Sequence, residues 1–206
     1  MREARPVKKF LFVGNQACLD FINTQMIQHG RLVDLLESYD DLASWLVQAS
    51  VLTAAEATEA VRKWGGQREG QRTFEEAMKF RAVLRGMVEQ TVKGRSVPTA
   101  AIESINRLLG ARLGYTQLAR VRGRFERRFH SQTTQATHLL VPIAELTSDL
   151  LCHCDLSLIK RCRNPACILY FYDTTKNHAR HWCSMNLCGN RMKVAAHYRR
   201  TRSQRS

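Results

Sequence analysis

The arrangement of four cysteines near the end of the chain constrains its fold more than any other feature. They form two matched pairs, Cys162 with Cys167 and Cys183 with Cys188, with four residues inside each pair and fifteen between the pairs. A structural zinc ion binds four soft ligands in a tetrahedron, and two close pairs on separate turns supply such a set. The spacing therefore predicts one structural zinc ion with these four cysteines as its ligands.

Other interpretations of these donors explain less. A catalytic zinc site needs an open coordination position and a nearby general base, but four thiolates fill the tetrahedron and Asp173 is the one acid in residues 158–206. Four incidental thiols seldom fall into two equal pairs. His178 and His181 lie between the pairs and could replace a cysteine as ligand. Because four cysteines already suffice, we expect these histidines to be surface or phosphate-facing residues. The run Cys152-His153-Cys154 ends a predicted helix, where packing or surface thiols are the usual outcome.

Positive charge is concentrated in the same segment. The 206 residues carry 32 Lys and Arg against 18 Asp and Glu, a net charge of +14. Residues 158–206 account for +10 of it and residues 1–157 for +4. A field of this size attracts polyanions such as nucleic acid or an anionic membrane surface. The change in composition also predicts two domains, 1–157 and 158–206.

Hydrophobic periodicity predicts a mainly α first domain that contains a small β-hairpin, an α+β class. Helices are expected at Tyr39–Ala49, after the capping box Thr53–Glu56, at Thr73–Val92, after Pro98 and at Ala136–Leu151. The hairpin is expected where Tyr115–Val121 and Arg124–His130 flank Arg122-Gly123.

The second domain is expected to be a treble-clef-like zinc finger with four cysteine ligands, built from a β-hairpin plus a helix. Strands around Ile159–Cys162 and Ile168–Tyr172 would carry the first cysteine pair. Asn186 is a candidate N-cap for a helix that runs to about Arg200. Because apolar residues are few in this segment, we expect it to need zinc in order to fold.

The predicted helix and the loop before it carry the candidate nucleic-acid-binding residues. A helix fits the major groove of DNA, where Arg bonds guanine and Asn bonds adenine, and further basic side chains contact phosphates. The candidates on the helix are Asn190, Arg191, Lys193, His197 and Arg200, and the candidate phosphate contacts are Lys176, Arg180, Arg199 and Arg202. The alternatives are a solvated basic face and, for the first two residues, bracing of the zinc site.

Two strings of residues resemble a known family. Cys188-Gly189-Asn190-Arg191, together with the preceding Cys162–Cys167 and Phe171–Asn177 segments, resembles the CGNR zinc finger over about residues 158–200. The string Leu19-Asp20-Phe21-Ile22-Asn23-Thr24 is similar to one in the ABATE-type domain that typically precedes this finger. The resemblance implies a bacterial, stress-related transcription regulator whose finger binds DNA.

The first domain permits several roles. Asp20 and Asn23 are polar residues in an apolar stretch, which suggests a ligand pocket, with a capping or buried-turn role as the alternative. Sensing of a small-molecule effector, dimerisation and a plain scaffold are all compatible with residues 1–157. The chain has no phosphate-binding glycine loop, helical zinc-protease motif or nucleophile elbow, so we expect no enzyme.

Taken together, the sequence predicts a zinc-finger regulator that binds duplex DNA. The alternative is an RNA- or ribosome-associated module in which the aromatic residues of the finger stack on unpaired bases; they would otherwise form its small core. One finger covers little DNA, which favours a homodimer or a second contact. With no apolar run near 18 residues and no secretory signal, we expect a cytoplasmic, nucleoid-associated protein without a membrane partner.

Overall fold

The computed structural model describes residues 10–203, without the side chains of residues 128, 130, 131, 198–200, 202 and 203. Helices make up most of the first part of the chain. They are α1 Ala17–Ile22, α2 Tyr39–Gln48, α3 Ala54–Trp64, α4 Arg68–Val92, α5 Thr99–Leu109 and α6 Val141–His153. Within the described residues, no helix is both long and apolar enough to cross a membrane.

Side-chain caps mark the starts of two of these helices. Helix α2 begins after Ser38, whose side chain accepts a hydrogen bond from the Asp41 amide. Helix α3 begins with the predicted capping box of Thr53 and Glu56. Helix α4 is the central helix and begins five residues before the predicted Thr73.

In the described part of the chain, the strands form three separate antiparallel hairpins instead of a common sheet. The first, β1 Gln25–Gln28 with β2 Arg31–Asp34, was not predicted. The second, β3 Gly114–Val121 with β4 Arg124–Ser131, confirms the predicted hairpin. The third, β5 Ile159–Arg161 with β6 Tyr170–Tyr172, opens the finger, which ends in α7 Asn190–Ser203. The mainly α fold with small hairpins is as predicted.

One apolar core runs through the helical part and reaches into the finger. Trp45, Phe21 and Phe80 are buried at its centre. The same cluster includes Ile159 and Tyr170 from the finger hairpin. A second, smaller cluster consists of the four predicted zinc ligands and two buried apolar residues, Leu169 and Phe171. The finger therefore packs against the helical part through its hairpin.

Candidate metal centre and its basic helix

The four cysteines of the predicted site lie together in the structure. Their Sγ atoms are all within 4.8 Å of one another, and all four residues are buried. The Sγ atoms of Cys167 and Cys183 are 3.9 Å apart. In a tetrahedral site with zinc–sulfur bonds of about 2.3 Å, neighbouring sulfurs are about 3.8 Å apart. The number, type and spacing of the donors therefore fit one zinc ion.

Asn164 organises the first cysteine turn and connects it to the second. Its side-chain oxygen accepts a hydrogen bond from the Ala166 amide at 3.1 Å. Its side-chain amide donates to the Sγ of Cys188 at 3.2 Å, and the residue is buried. Such a contact orients a metal ligand and stabilises its thiolate form. Asn164 was not among the residues predicted from the sequence; the Asn-Pro dipeptide inside the cysteine pair is the local signal for it.

The second cysteine pair lies on a wide turn that leads into α7. The turn spans Met185–Gly189, and the Ser184 carbonyl accepts hydrogen bonds at 3.0 Å from the amides of both Cys188 and Gly189. A Cβ atom on Gly189 would lie 2.7 Å from the sulfur of Met185, so a side chain at this position would displace the methionine. The prediction that Asn186 caps the helix was wrong, because this residue lies within the wide turn and α7 begins at Asn190.

The thiols of the cluster do not ionise independently. A hydrogen bond from the Cys167 thiol lowers the pKa of Cys162 to about 2. The hydrogen bond to Cys162 raises the pKa of Cys167 to about 12. The contact with Cys162 also raises the pKa of Cys183 far above its ordinary value. Without a cation, one thiolate is stabilised by protons on its neighbours. A divalent metal ion would replace those protons, because zinc binds thiolates.

Asp173 orders the loop between the two cysteine pairs. Burial raises its pKa, but hydrogen bonds to its carboxylate outweigh this and hold the pKa below the usual range. The donors are the Lys160 ammonium at 2.7 Å, the Thr175 hydroxyl at 2.6 Å and amide at 3.0 Å, and the Arg180 amide at 3.0 Å. The carboxylate is fully buried, so the only acid of residues 158–206 has a structural position.

The predicted phosphate contacts fall into different environments. Arg180 is half-buried, with its guanidinium 4.1 Å from the centre of the Phe171 ring. It donates to the carbonyls of Trp182 at 3.0 Å and Val13 at 2.7 Å, and also to that of Cys183. These contacts hold Arg180 against the turn that carries Cys183, and its role as a phosphate contact stays a prediction. Lys176 is exposed, beside an open groove of about 690 Å³.

Helix α7 presents four of its predicted contact residues to solvent. The side chains of Asn190, Arg191, Lys193 and His197 are exposed. Arg191 also borders a cavity of about 40 Å³ next to the cysteines. Its position is compatible with both predicted roles, contact with DNA bases and bracing of the zinc site. The other predicted contacts on this helix, Arg199, Arg200 and Arg202, have side chains that lie outside the described residues.

The aromatic residues of the finger serve mainly as core. Tyr170 and Phe171 are buried, and Tyr172 is half-buried. Trp182 is half-buried and borders the open groove beside Lys176. Stacking of unpaired bases on Tyr170 or Phe171 would require the finger to unfold.

Asn23 connects the two parts of the chain. It is fully buried, and its side-chain amide donates to the Tyr170 carbonyl at 2.8 Å while its oxygen accepts from the Tyr170 amide at 2.9 Å. Asn15 donates to the Tyr172 carbonyl at 3.0 Å, and the Tyr172 amide donates to the Gly14 carbonyl at 2.7 Å. The N-terminal segment thus continues the hydrogen bonding of β6, and the finger is attached through its backbone.

Asp20, the other candidate for a ligand pocket, also bonds to backbone. Its carboxylate accepts from the amides of Val13 at 2.8 Å and Gly14 at 2.7 Å. Burial raises the pKa of this carboxyl to about 6 against the effect of those amides. Both polar residues of the string are hydrogen-bonded within the protein, and a role in ligand binding stays a prediction.

A separate cavity of about 570 Å³ lies in the helical part. Helix α6, the α2–α3 connection and strand β4 surround it. At its edge Arg112 pairs with Glu145 at 2.7 Å and stacks on the Phe129 ring at 3.7 Å. The lining mixes charged and apolar side chains, as small-molecule sites do.

The comparisons with known proteins match two ranges of the chain. The ABATE family model, described as "Putative stress-induced transcription regulator", matches residues 15–153. The CGNR zinc finger model matches residues 159–201. No curated protein matches the chain. The two matched ranges contain the strings Leu19–Thr24 and Cys188–Arg191, and they confirm the resemblance seen in the sequence. The chain therefore belongs to the ABATE family and carries a CGNR zinc finger.

Proposed function

We propose that this protein is a zinc-dependent transcription regulator that binds duplex DNA through α7. The observation that carries the proposal is the position of this helix, which begins two residues after the fourth cysteine and exposes Asn190, Lys193 and His197. A zinc ion on the cysteines would fix the start of the helix, and one exposed helix face fits the major groove.

The electrostatics of the finger support this proposal. Residues 158–206 contain 11 basic residues and one acid, Asp173. That acid is fully buried and paired with Lys160, so no side-chain carboxylate of this segment opposes its basic surface. Arg161 and Arg163 are exposed in addition to the residues on α7. A positive surface of this kind binds phosphates by releasing their counterions.

Duplex DNA accounts for the structure better than RNA. The RNA alternative depended on aromatic side chains that stack on unpaired bases. Two of these, Tyr170 and Phe171, belong to buried clusters. The finger instead offers a helix with polar and basic side chains, which suits the edges of paired bases.

The helical part is proposed to sense a small molecule or to mediate homodimerisation. The cavity of about 570 Å³ supports the sensing role, because it has the size of a small-molecule site. The two family models describe a regulator and a zinc finger, and the absence of catalytic activity is part of the proposal. In this role the protein would act at the nucleoid in the cytoplasm.

The test is selection from a random pool of duplex DNA by the zinc-loaded full chain at physiological salt. We expect enrichment of a motif, and a palindromic motif would indicate a dimer. Replacement of Asn190 by Ala and Lys193 by Gln should weaken binding of the selected site by about tenfold or more. Lys79→Gln changes an exposed lysine of α4 and serves as the control.

Two further measurements complete the test. Cys183→Ser should abolish both stoichiometric zinc and DNA binding, since the ligand set would be incomplete. Intact binding by this variant would contradict the proposed mechanism. Recovery of DNA without any enriched motif, together with tighter binding of single-stranded RNA, would establish the RNA alternative instead.

A further inference from the structure

Apart from Phe129, which borders the cavity of the proposed sensing role, the hairpin of β3 and β4, residues 114–131, has no role in the function proposed above. It presents large apolar side chains to solvent: Leu118 is 65% exposed and Phe125 is 68% exposed. Exposed apolar side chains grouped in this way mark a binding surface. The hairpin also carries exposed arginines, at positions Arg120, Arg122, Arg124 and Arg127. We propose that this hairpin, here called the basic ribbon, is a second contact for duplex DNA.

The strand register gives the basic ribbon two different faces. Leu118 lies opposite Arg127, and Arg120 lies opposite Phe125. Opposed residues project to the same side, and alternation along a strand places all four of these side chains on one face. The Arg120 guanidinium lies 5.6 Å from the centre of the Phe125 ring. This face therefore combines two cations with two apolar groups.

The acid of the basic ribbon lies on the other face. Glu126 is opposite Ala119, whereas Arg120 and Arg127 belong to the neighbouring pairs of the register. The other described side chains on the face of these two arginines are those of Thr116 and Phe129, so none of its described side chains is a carboxylate. The face of Arg120 and Arg127 thus carries positive charge without a described carboxylate and suits a polyanion, whereas Arg124 shares its face with Glu126.

The turn extends the positive charge to the tip. Arg122 and Gly123 both have left-handed backbone conformations, with φ of 48° and 81°. A two-residue hairpin turn of this kind favours Asn-Gly, and a long side chain at its first position is uncommon. Here an exposed arginine occupies that position, close to the exposed Arg124. The turn at the end of the ribbon therefore carries two cationic side chains, Arg122 and Arg124.

The dimensions of the basic ribbon favour the major groove of B-DNA. Its two eight-residue strands span about 26 Å, and a groove about 12 Å wide admits a two-stranded ribbon. Arginine there bonds guanine, and apolar side chains contact the methyl group of thymine. The deep, narrow major groove of RNA duplexes does not admit such an element. The inference rests on the proposed function, which supplies duplex DNA as the partner.

Charge also argues against a second copy of this chain as the occupant. Two ribbons packed face to face would place the arginines of each against those of the other, and Glu126 belongs to the opposite face. Like charges brought together in this way oppose association. At the base, the contacts of Arg112 with Glu145 and with the Phe129 ring join the ribbon to α6. The base of this face is thus held by the helical part through Phe129, while Leu118 and Phe125 farther along the same face stay exposed.

The test measures binding of the zinc-loaded full chain to a 30-base-pair duplex at several salt concentrations. The ribbon variant is Arg120→Gln with Arg127→Gln, the two arginines of the proposed face, and the control is Arg68→Gln with Arg72→Gln, which removes the same charge from exposed positions on α4. We expect the ribbon variant to flatten the plot of log K against log salt by about 1.8 and the control to leave it unchanged, because each lost phosphate contact changes the slope by about 0.9. The melting temperatures should stay unchanged.

The outcomes separate this inference from the proposed function. If the wild-type protein does not bind the duplex, both fail. If it binds, and Lys193→Gln weakens binding while the ribbon variant matches its control, the ribbon inference alone fails. Leu118→Ser with Phe125→Ser should leave the sedimentation coefficient unchanged and weaken DNA binding. Conversion of a dimer to a monomer by this variant, with DNA binding intact, would show that the ribbon binds a second copy and would overturn the inference.

Discussion

The helical part and the finger are stabilised by different means. The helical part has a continuous apolar core with buried side chains such as Trp45, Phe21 and Phe80. In the finger, the separate cluster consists of four cysteines around Leu169 and Phe171. An apolar core of that size cannot offset the entropy of ordering the chain. Packing therefore determines the stability of one part, and metal binding determines that of the other.

The boundary between the two means of stabilisation does not follow the boundary between the family models. The β5–β6 hairpin belongs to the matched finger, yet Ile159 and Tyr170 are part of the main core. Among the described side chains of residues 173–203, none is a buried member of that core. Within one zinc finger, the β5–β6 hairpin is thus stabilised by packing, whereas the following loop and α7 are stabilised by the cysteine site.

Removal of zinc should have the largest effect and tests this comparison directly. Structural zinc contributes on the order of 10 kcal/mol to the folding of small zinc domains. After chelation, we expect the amides of α7 to lose protection from hydrogen exchange, while those of α4 and β6 keep most of theirs. The measurement is hydrogen exchange with mass spectrometry at equal protein concentrations, with and without the chelator.

Cys152→Ser provides the control for this experiment, since Cys152 is exposed and outside the cluster. This variant should bind zinc as the wild type does and show the same protection. If the amides of α7 keep their protection after complete zinc removal, the metal does not stabilise this helix and the comparison between the two parts is wrong.

The pH dependence of stability should reveal the buried Asp20. Its pKa is 3.8 as an ordinary carboxyl and about 6 in the folded protein, where burial disfavours the charge. Between these values the folded state holds a proton that the unfolded state has lost, so stability falls as pH rises from about 4 to 6. Because a tenfold change in proton affinity corresponds to about 1.4 kcal/mol, the contribution is at most about 3 kcal/mol.

Asp20→Asn removes this titration and keeps an oxygen for the two amides. Its free energy of unfolding, minus that of the wild type, should increase across the same pH window, as urea titrations at several pH values would show. Using the difference cancels the effect of acid on zinc binding, which both proteins share. A difference that does not vary with pH would contradict the assigned pKa.

Removing the side-chain hydrogen bonds that join the N-terminal segment to β6 should have a smaller effect on the free energy of unfolding. Asn23→Ala leaves the amide and the carbonyl of Tyr170 buried without their partners, at a cost of about 2 kcal/mol. Asn15→Gly removes the exposed hydrogen bonds to the Tyr172 carbonyl and the Thr174 hydroxyl, tolerates the left-handed backbone at this position (φ 59°) and should cost much less. Thermal unfolding of both variants measures the difference, and equal losses would show that burial of this contact is unimportant.

Local patterns in the sequence predicted the elements that depend on local interactions. The capping box of α3, the stripe of α4 and the Arg122-Gly123 hairpin all appear as expected. The predicted start of α4 was too late, because its apolar stripe begins only at Phe74. The helix already includes Gly70, where a Cβ would lie 2.2 Å from the Trp64 carbonyl oxygen, so the close approach of α3 requires glycine.

Features that depend on distant contacts could not be read from the sequence. The β1–β2 hairpin has strands of four residues and is held by the bidentate pair of Arg81 with Asp34, which no local pattern reveals. Arg180 has the charge of a phosphate contact, and only the fold shows that it lies over Phe171. The four cysteine ligands were predictable, since zinc geometry imposes their spacing on the sequence itself, whereas the contact of Asn164 with Cys188 depends on the fold.

The finger hairpin contributes Ile159 and Tyr170 to the core of the helical part, which affects whether the finger can be transferred to another protein. Cutting the chain at residue 157 would strip Tyr170 from the helical part and expose apolar surface and the amide of Asn23 to water. The isolated finger would carry the matching apolar strand on its outside. We therefore expect that a finger transferred to another protein keeps its function only together with the N-terminal segment from Val13 to Asn23.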